Sequence, residues 1–347
     1  MSSVDLRKAN LRIVSLIPSA TEIVATLGYA DCLVGRSHEC DFPPSVKVLP
    51  VCTEPKFDPI GSSLQIHERV SELLASALSV YRVKTEVLSQ LRPTHIVTQA
   101  QCEVCAVSLP EVEQAVNALV EKTMGSKAEA CPIEIVSLQP ECSADVWDDM
   151  LSVAQAIEGS TAASVAKAQA LVKGFKDRLA VLDRGMGEAR PSVACIEWTE
   201  PLMAAGNWVP ELVSLAGGRA CFGKAGAHSD WISWEALIAA DPQIIVVMPC
   251  GYDLAQTRRA TEEMSDRPEW SELSAVKAGQ VYIVDGNQYF NRPGPRLIDS
   301  GEILAEIIQQ RSAGEYIGAG IADITEGYVT EGCIASRRRE AAGWEMF

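Results

Sequence analysis

Two stretches of this chain repeat one another. Glu86 to Val97, EVLSQLRPTHIV, and Glu235 to Val246, EALIAADPQIIV, carry Glu, Leu, Pro, Ile and Val at the same offsets. Each reads as a short helix, a proline that ends it and a buried strand, because proline lacks the amide that a helix interior needs and β-branched runs suit a covered sheet. A second pair agrees: EIVATLGYADC (Glu22 to Cys32) is echoed by ELVSLAGGRAC (Glu211 to Cys221). A chain that repeats its own supersecondary pattern is constrained to two lobes of like design. Its 347 residues suit two medium cores better than one large one. Between the landmarks lie 64 residues in the first half and 24 in the second, which gives the first lobe an insertion of about 40 residues, roughly Asp41 to Tyr81.

Short apolar runs alternate with amphipathic stretches, the pattern of parallel strands joined by crossover helices. Strands are expected at Arg12 to Leu16, Leu33 to Ser37, His95 to Gln99 and Ile133 to Leu138, then at Ser192 to Trp198, Ile244 to Met248 and Val281 to Asp285. Capping boxes at Ser19-Ala-Thr-Glu22 and Ser108-Leu-Pro-Glu111 mark two helix starts, and Gly28 stops the first of these helices. From Thr161, apolar residues at helical spacing (Val165, Ala168, Leu171, Val172, Phe175, Leu179, Leu182) predict a helix of about 23 residues, about 34 Å long and able to bridge two lobes. The expected organisation is an N-terminal α/β lobe over 11–142, a connecting helical segment over 143–185, a C-terminal α/β lobe over 190–311 and a flexible or loosely docked tail over 312–347. The basic run Arg337-Arg338-Arg339 in that tail reads as a solvated face.

A formal charge of −16 argues against nucleic acid and anionic lipid as partners, so the expected ligand is a small molecule and the expected state a monomer. No run approaches 18 apolar residues, so no membrane insertion is expected. The first residues carry positive charge but neither an apolar core nor a small-residue cleavage site, and eleven scattered cysteines read as reduced thiols. These features predict a cytoplasmic protein, and a periplasmic one only if a leader is missing from this sequence.

In open parallel sheets ligands bind beyond the carboxyl ends of the strands. Those positions hold Pro18-Ser19, His38-Glu39-Cys40, Cys102 with Cys105, and Gln139 to Cys142 in the first half. In the second half they hold Trp198 to Glu200, Pro249 to Tyr252, and Gly286 to Arg296. If the two sheets face each other, thiols line one wall of a cleft and aromatics the other. The lone CxxC, Cys102 and Cys105, admits three readings: a zinc or iron–sulfur clip completed by Cys40, Cys52, His38 or Cys142; a redox pair; or thiols that line the cleft and ligate the metal of a ligand. His38 suits an axial ligand or a proton carrier, whereas His67, His95 and His228 lack partner spacing and read as structural. Trp198, Trp208, Tyr252, Tyr289 and Phe290 suit an apolar wall for a flat macrocycle, and Arg292 and Arg296 suit a carboxylate or phosphate. There is no G-x-S-x-G, P-loop, HExxH or dinucleotide fingerprint, which favours binding over catalysis.

RIVSLIPSATEIVATLGYADCLVGRSHECDFPP (Arg12 to Pro44), the two Glu-x-Leu-x-x-x-x-Pro units and QYFNRPGPR (Gln288 to Arg296) together resemble the class III periplasmic binding proteins. Within that family the chain is most similar to the cobalamin-binding proteins of ABC importers. The resemblance spans Leu11 to Ile308 and implies two Rossmann-like α/β lobes joined by one long backbone helix, the helical backbone metal receptor architecture. It implies a corrinoid such as cobalamin held between the lobes, with Gln288, Tyr289, Phe290, Asn291 and Arg292 at the segment that contacts the corrin and Tyr289 at a tryptophan position. The loop after the second strand also contacts ligand in relatives, and Glu39 stands there where an aromatic is expected. The relatives dock one acidic residue per lobe on their permease, which makes Glu86 and Glu235 the docking candidates. Two alternatives stand beside it: a cysteine-ligated metal or iron–sulfur protein, with or without catalysis, on the same fold, and the substrate-binding subunit of an ABC importer.

Overall fold

A computed structural model describes residues 10–76, 79–100, 107–124, 133–159, 161–182, 190–309 and 344–347. The chain divides into two compact units, one drawn from 1–61, 65–140 and 145–170, the other from 62–64, 141–144 and 171–347.

Unit one is built on strands β1 (Ile13–Ser15), β2 (Leu33–Arg36), β5 (His95–Gln99) and β6 (Glu134–Leu138). They pair in the order β2-β1-β5-β6, all parallel, with Ile13 opposite both Leu33 and His95. Helix α1 (Pro18–Val24) follows β1 and starts on Pro18, whose fixed φ suits a first turn. Ser19, expected as its cap, is instead buried inside the helix, and the position before the helix, Ile17, has no capping side chain. The chain then tightens into a π-turn over Ala25–Tyr29 and reverses at Gly28, whose φ of 90° a side chain would disfavour. Beyond β2 the insertion supplies β3 (Thr53–Pro55) and β4 (Tyr81–Val83), an antiparallel pair, and helix α2 (Ser63–Ala75). Helix α3 (Thr85–Leu91) leads into β5, and helix α4 (Leu109–Met124) into β6. The second expected capping box is not closed by its glutamate: Glu111 accepts from Lys56 at 3.0 Å and from the Val83 amide at 3.2 Å. Val14, Leu16, Cys52, Leu88, Ile96 and Val112 form the core of the unit.

Unit two repeats the scheme. Its parallel strands are β7 (Ser192–Thr199), β9 (Arg219–Ala220), β11 (Ile244–Val247) and β12 (Val281–Val284), in the order β9-β7-β11-β12. Helix α7 (Val209–Leu215) precedes β9 and helix α8 (Trp234–Ala240) precedes β11, as α1 precedes β2 and α3 precedes β5. Gly217 has the same φ of 90° as Gly28. Leu88 and Leu237, the shared leucines of the repeated motif, are both fully buried. Strands β8 (Leu202–Ala204) and β10 (Asp230–Trp231) extend the sheet antiparallel on one side.

Helices α5 (Ser143–Glu158) and α6 (Ala162–Leu179) connect the strand sets, and the boundary between the units falls within α6, after Ala170. At 18 residues α6 is shorter than expected and spans about 27 Å. The expected loose tail also differs in part. Residues 310–343 lie outside the described residues, but Trp344–Met346 add an antiparallel strand to β12, and Phe347 packs edge-on against Trp270 with centroids 6.4 Å apart. Among the described residues no helix is long and apolar enough to cross a membrane.

Candidate ligand-binding site

In unit one the ends of β1, β2 and β5 are tied together by small polar side chains. Ser15 Oγ donates to the Ile17 carbonyl (2.9 Å) and accepts from Thr21 Oγ1 (2.8 Å). Ser19 Oγ donates to Oε1 of the buried Gln99 at the end of β5 (3.3 Å). Pro18, beside it, is buried as well.

After β2 the chain bows around Arg36. Its guanidinium donates from Nη1 to the carbonyls of Ser37 (2.9 Å), His38 (3.3 Å) and Cys40 (3.1 Å), and from Nη2 to that of Lys47 (3.2 Å). Five fixed donors on a planar group suit arginine for holding several carbonyls at once. The bow fixes His38, whose amide and Nδ1 both meet Thr53 Oγ1, at 3.0 and 2.8 Å. Thr53 Oγ1 in turn donates to Ser37 Oγ at 3.0 Å. The imidazole packs against Tyr81, centroids 5.1 Å apart. Burial first, then the nearby Lys84 and Arg36 cations, lower the His38 pKa to about 4. Glu39 accepts from the Tyr81 hydroxyl at 3.2 Å.

The Cys40 thiol is buried, with Sγ 3.0 Å from Thr21 Oγ1. Cys52 lies in the core, and burial pushes its thiol up to about 11. Cys102 and Cys105 lie outside the described residues. Among the described residues no group of three or more His, Cys, Asp or Glu is placed to hold a metal ion. The remaining histidines are held by hydrogen bonds: His67 with Ser71, His95 with Thr94 and the Ala156 carbonyl, His228 with the Ser229 carbonyl.

In unit two, Trp198 ends near β8 with Nε1 donating to the Glu200 carbonyl at 3.1 Å, and its ring lies 5.3 Å from that of Tyr252. The Tyr252 hydroxyl is 3.4 Å from Ser63 Oγ, which also accepts from Thr199 Oγ1 at 2.7 Å. Burial raises the Tyr252 pKa, so the phenol stays protonated. After β12, Asp285 caps a π-turn over Gly286–Phe290 by accepting from the amide (2.7 Å) and side-chain nitrogen (2.9 Å) of Gln288. The turn requires glycine at 286, because a Cβ there would collide with the Pro249 carbonyl. Gln288 and Tyr289 are half-buried, and the Arg296 guanidinium lies 4.3 Å from the Tyr289 ring centroid. Phe290 is fully buried, and its carbonyl accepts from Trp208 Nε1 at 2.9 Å. Asn291 Nδ2 donates to the carbonyls of Met248 (3.3 Å) and Gly286 (3.0 Å). Arg292 is also buried and donates from Nη2 to Asn287 Oδ1 at 3.0 Å. The loop therefore presents Gln288 and Tyr289 and uses Phe290, Asn291 and Arg292 within itself.

A cavity of 690 Å³ in unit two is lined by Ser143, Arg190, Pro210, Glu211 and Arg219. It adjoins the starts of β7 and β9, not the strand ends where these side chains gather. Glu86 and Glu235 are exposed, each in the first turn of its helix.

Residues 13–287 match the family model described as periplasmic binding protein. The chain belongs to the periplasmic binding protein family. It is 24% identical over 311 residues, 88% of this chain and 82% of that protein, to the uncharacterized ABC transporter substrate-binding lipoprotein YvrC of Bacillus subtilis. It is 24% identical over 294 residues, 84% of this chain and 86% of that protein, to the vitamin B12-binding protein of Vibrio cholerae. The solved periplasmic vitamin B12 binding protein BtuF of Vibrio cholerae aligns over 87% of this chain and 98% of its own, with a TM-score of 0.57 at 21% identity. A periplasmic heme binding protein of Pseudomonas aeruginosa aligns over 87% of this chain and 93% of its own, with a TM-score of 0.59 at 19% identity. These likenesses agree with the two-lobed class III fold expected from the sequence.

Membership in this periplasmic binding protein family overturns the cytoplasmic expectation, since the family and its relatives are periplasmic or lipoproteins. That expectation leaned on the make-up of the first residues and on scattered thiols, and neither fixes a compartment. Reading the sequence also passed over Arg36, Ser37, Thr53, Tyr81 and Ser63. Of these only Thr53 had a usable signal, a polar residue directly after an apolar PVC run at the start of a strand.

Proposed function

We propose that this protein is the substrate-binding component of an ABC importer and that it binds a corrinoid, cobalamin or a close relative, without catalysis. The observation that carries the reading is the match to a vitamin B12-binding protein over 84% of this chain. The chemistry of the strand ends agrees with it. In unit one, Pro18, Ser19, His38 and Glu39 offer a mixed apolar and hydrogen-bonding surface; in unit two, Trp198, Tyr252, Gln288 and Tyr289 offer aromatic area with a few polar groups, which suits a broad, flat ligand. Glu86 and Glu235 are the carboxylates assigned to the permease. Phe290, Asn291 and Arg292 hold the shape of the Gln288–Tyr289 turn. A zinc or iron–sulfur site would rest on Cys102 and Cys105, because the Cys40 and Cys52 side chains are buried.

Titration of the metal-free protein with cyanocobalamin, followed by calorimetry, tests the reading. Saturable one-to-one binding is expected. Absence of corrinoid binding, together with stoichiometric zinc or iron in protein purified without oxygen, would replace it with the metal-site alternative.

A further inference from the structure

We propose that the cavity beside the starts of β7 and β9 in unit two is a binding site for a small organic anion, a carboxylate or phosphate carried on an apolar body, with Arg219 as its principal anchor. This second site shares no residue with the strand-end surfaces assigned to the cargo, and it stands whether or not the cargo is a corrinoid.

Strand register brings the positive charge together. Arg219 opens β9 opposite Ser192, and its amide donates to the Pro191 carbonyl at 2.9 Å. Arg190 directly precedes Pro191, so the two arginines stand on adjacent segments at one end of the sheet, and both line the cavity. Neighbouring strands lie about 4.8 Å apart, a gap that two long side chains span to grip one anion. Arg190 donates from Nη1 to the Ser214 carbonyl at 2.8 Å, which fixes its place on the wall. Arg219 is exposed, and among the described residues no hydrogen bond or ion pair engages its guanidinium.

The carboxylate in the same cavity does not neutralise this charge. Glu211 Oε2 accepts from the amide (2.9 Å) and the hydroxyl (2.5 Å) of Ser143, the first residue of α5. A carboxylate is favoured there by the positive end of the helix dipole, so Glu211 is already committed. Among the described residues no ion pair joins it to either arginine. The wall therefore carries two guanidinium groups against one carboxylate, opposite in sign to a chain whose net charge is −16. A guanidinium offers a planar fork of donors that matches paired oxygens, as in a carboxylate or a phosphate.

The rest of the wall sets the body of the ligand. Pro210 and Leu215 come from α7, beside Glu211 and Ser214, and Ala220 and Ala225 add further apolar surface. The volume of 690 Å³ is far more than a bare inorganic anion fills and lies within the range of about 300–1,000 Å³ usual for small-molecule sites. An anionic head on Arg219 with an apolar body against α7 uses both parts of the lining.

Calorimetric titration of the full chain at low salt with phenyl phosphate, benzoate and inorganic phosphate tests the site. Saturable one-to-one binding of phenyl phosphate or benzoate is expected, at least tenfold tighter than inorganic phosphate, and the tighter of the two tells a phosphate head from a carboxylate. Arg219→Gln should weaken that binding at least tenfold. Ala225→Trp, which fills the cavity and leaves every charge in place, should weaken it as much, with circular dichroism confirming that both variants fold. Inorganic phosphate bound as tightly as the organic anions removes the role of the apolar wall and overturns the proposal. Binding that survives both substitutions lies elsewhere on the chain and overturns it too, as does no binding of either organic anion at millimolar concentration.

Discussion

Arg92 and Asp241 adopt the same left-handed backbone, φ 46° and 37°, and each closes a seven-residue helix directly before a proline. A left-handed non-glycine residue is disfavoured by roughly 1–2 kcal/mol, so the two positions look equally open to glycine. They are not. Arg92 is exposed and only its backbone is engaged at the helix end, whereas Asp241 accepts from the amide (2.8 Å) and hydroxyl (2.7 Å) of Ser274, capping the short helix Ser274–Lys277. Arg92→Gly is therefore expected to raise stability, by up to about 1 kcal/mol, and Asp241→Gly to lower it. Urea unfolding midpoints of the two variants, moving in opposite directions, check this.

That pair also explains how much could be read in advance. The Glu-Leu-Pro-Ile-Val pattern was legible because each of its parts acts locally: the leucine is buried, the proline forbids helix and the β-branched pair makes a strand. His38 with Thr53 was not, because residues 15 apart meet only through the tertiary pairing of Arg36 with Val51. The Gln288 to Arg292 loop lies between these cases. Its residues were legible as a group, but a π-turn has neither the two-residue nor the 3.6-residue period that would say which of them face inward. Ser19 misled for a local reason, since Pro18 starts the helix two residues earlier than a Ser19 cap would and carries the serine into the interior.

The turn that presents Tyr289 depends on Gly286. Gly286→Ala should displace it by forcing a methyl against the Pro249 carbonyl, and Tyr289→Ala should remove its aromatic face while leaving Arg296 without its stacking partner. Both variants are expected to weaken cyanocobalamin binding at least tenfold by calorimetry. They separate on heating: Gly286→Ala should lower the melting temperature clearly, because overpacking a close approach costs about 1–3 kcal/mol, and Tyr289→Ala, half-buried at the surface, should lower it less. Unaltered binding by Tyr289→Ala would remove this loop from the site.

Glu86 and Glu235 hold the same position in the repeated motif and are exposed. If they dock a basic permease surface, Glu86→Arg with Glu235→Arg should abolish corrinoid uptake in vesicles containing the transporter while cyanocobalamin titrates as in wild type. Uptake at the wild-type rate would leave both as solvated helix-start glutamates, whose carboxylates favour the positive end of the helix dipole.

Asp149, on α5, gives the fold a pH dependence of unusual sign. Its pKa is raised to about 7, first by burial and further by Asp145 and Asp148, against a lowering bond from the Gln139 amide. One carboxyl oxygen is buried without a hydrogen bond. In the unfolded chain the same carboxyl titrates near its ordinary value of 3.8. Between that value and about 7 the folded state keeps a proton that the unfolded state has released, so stability from this residue is full below the lower value and falls as pH rises through the upper one. Salt-bridged carboxylates behave oppositely, losing stability as pH falls. Asp149→Asn, which keeps the shape and never ionises, should therefore melt higher than wild type at pH 8 and close to it at pH 4. A melting-temperature difference that is the same at both pH values would show that Asp149 does not titrate in this range.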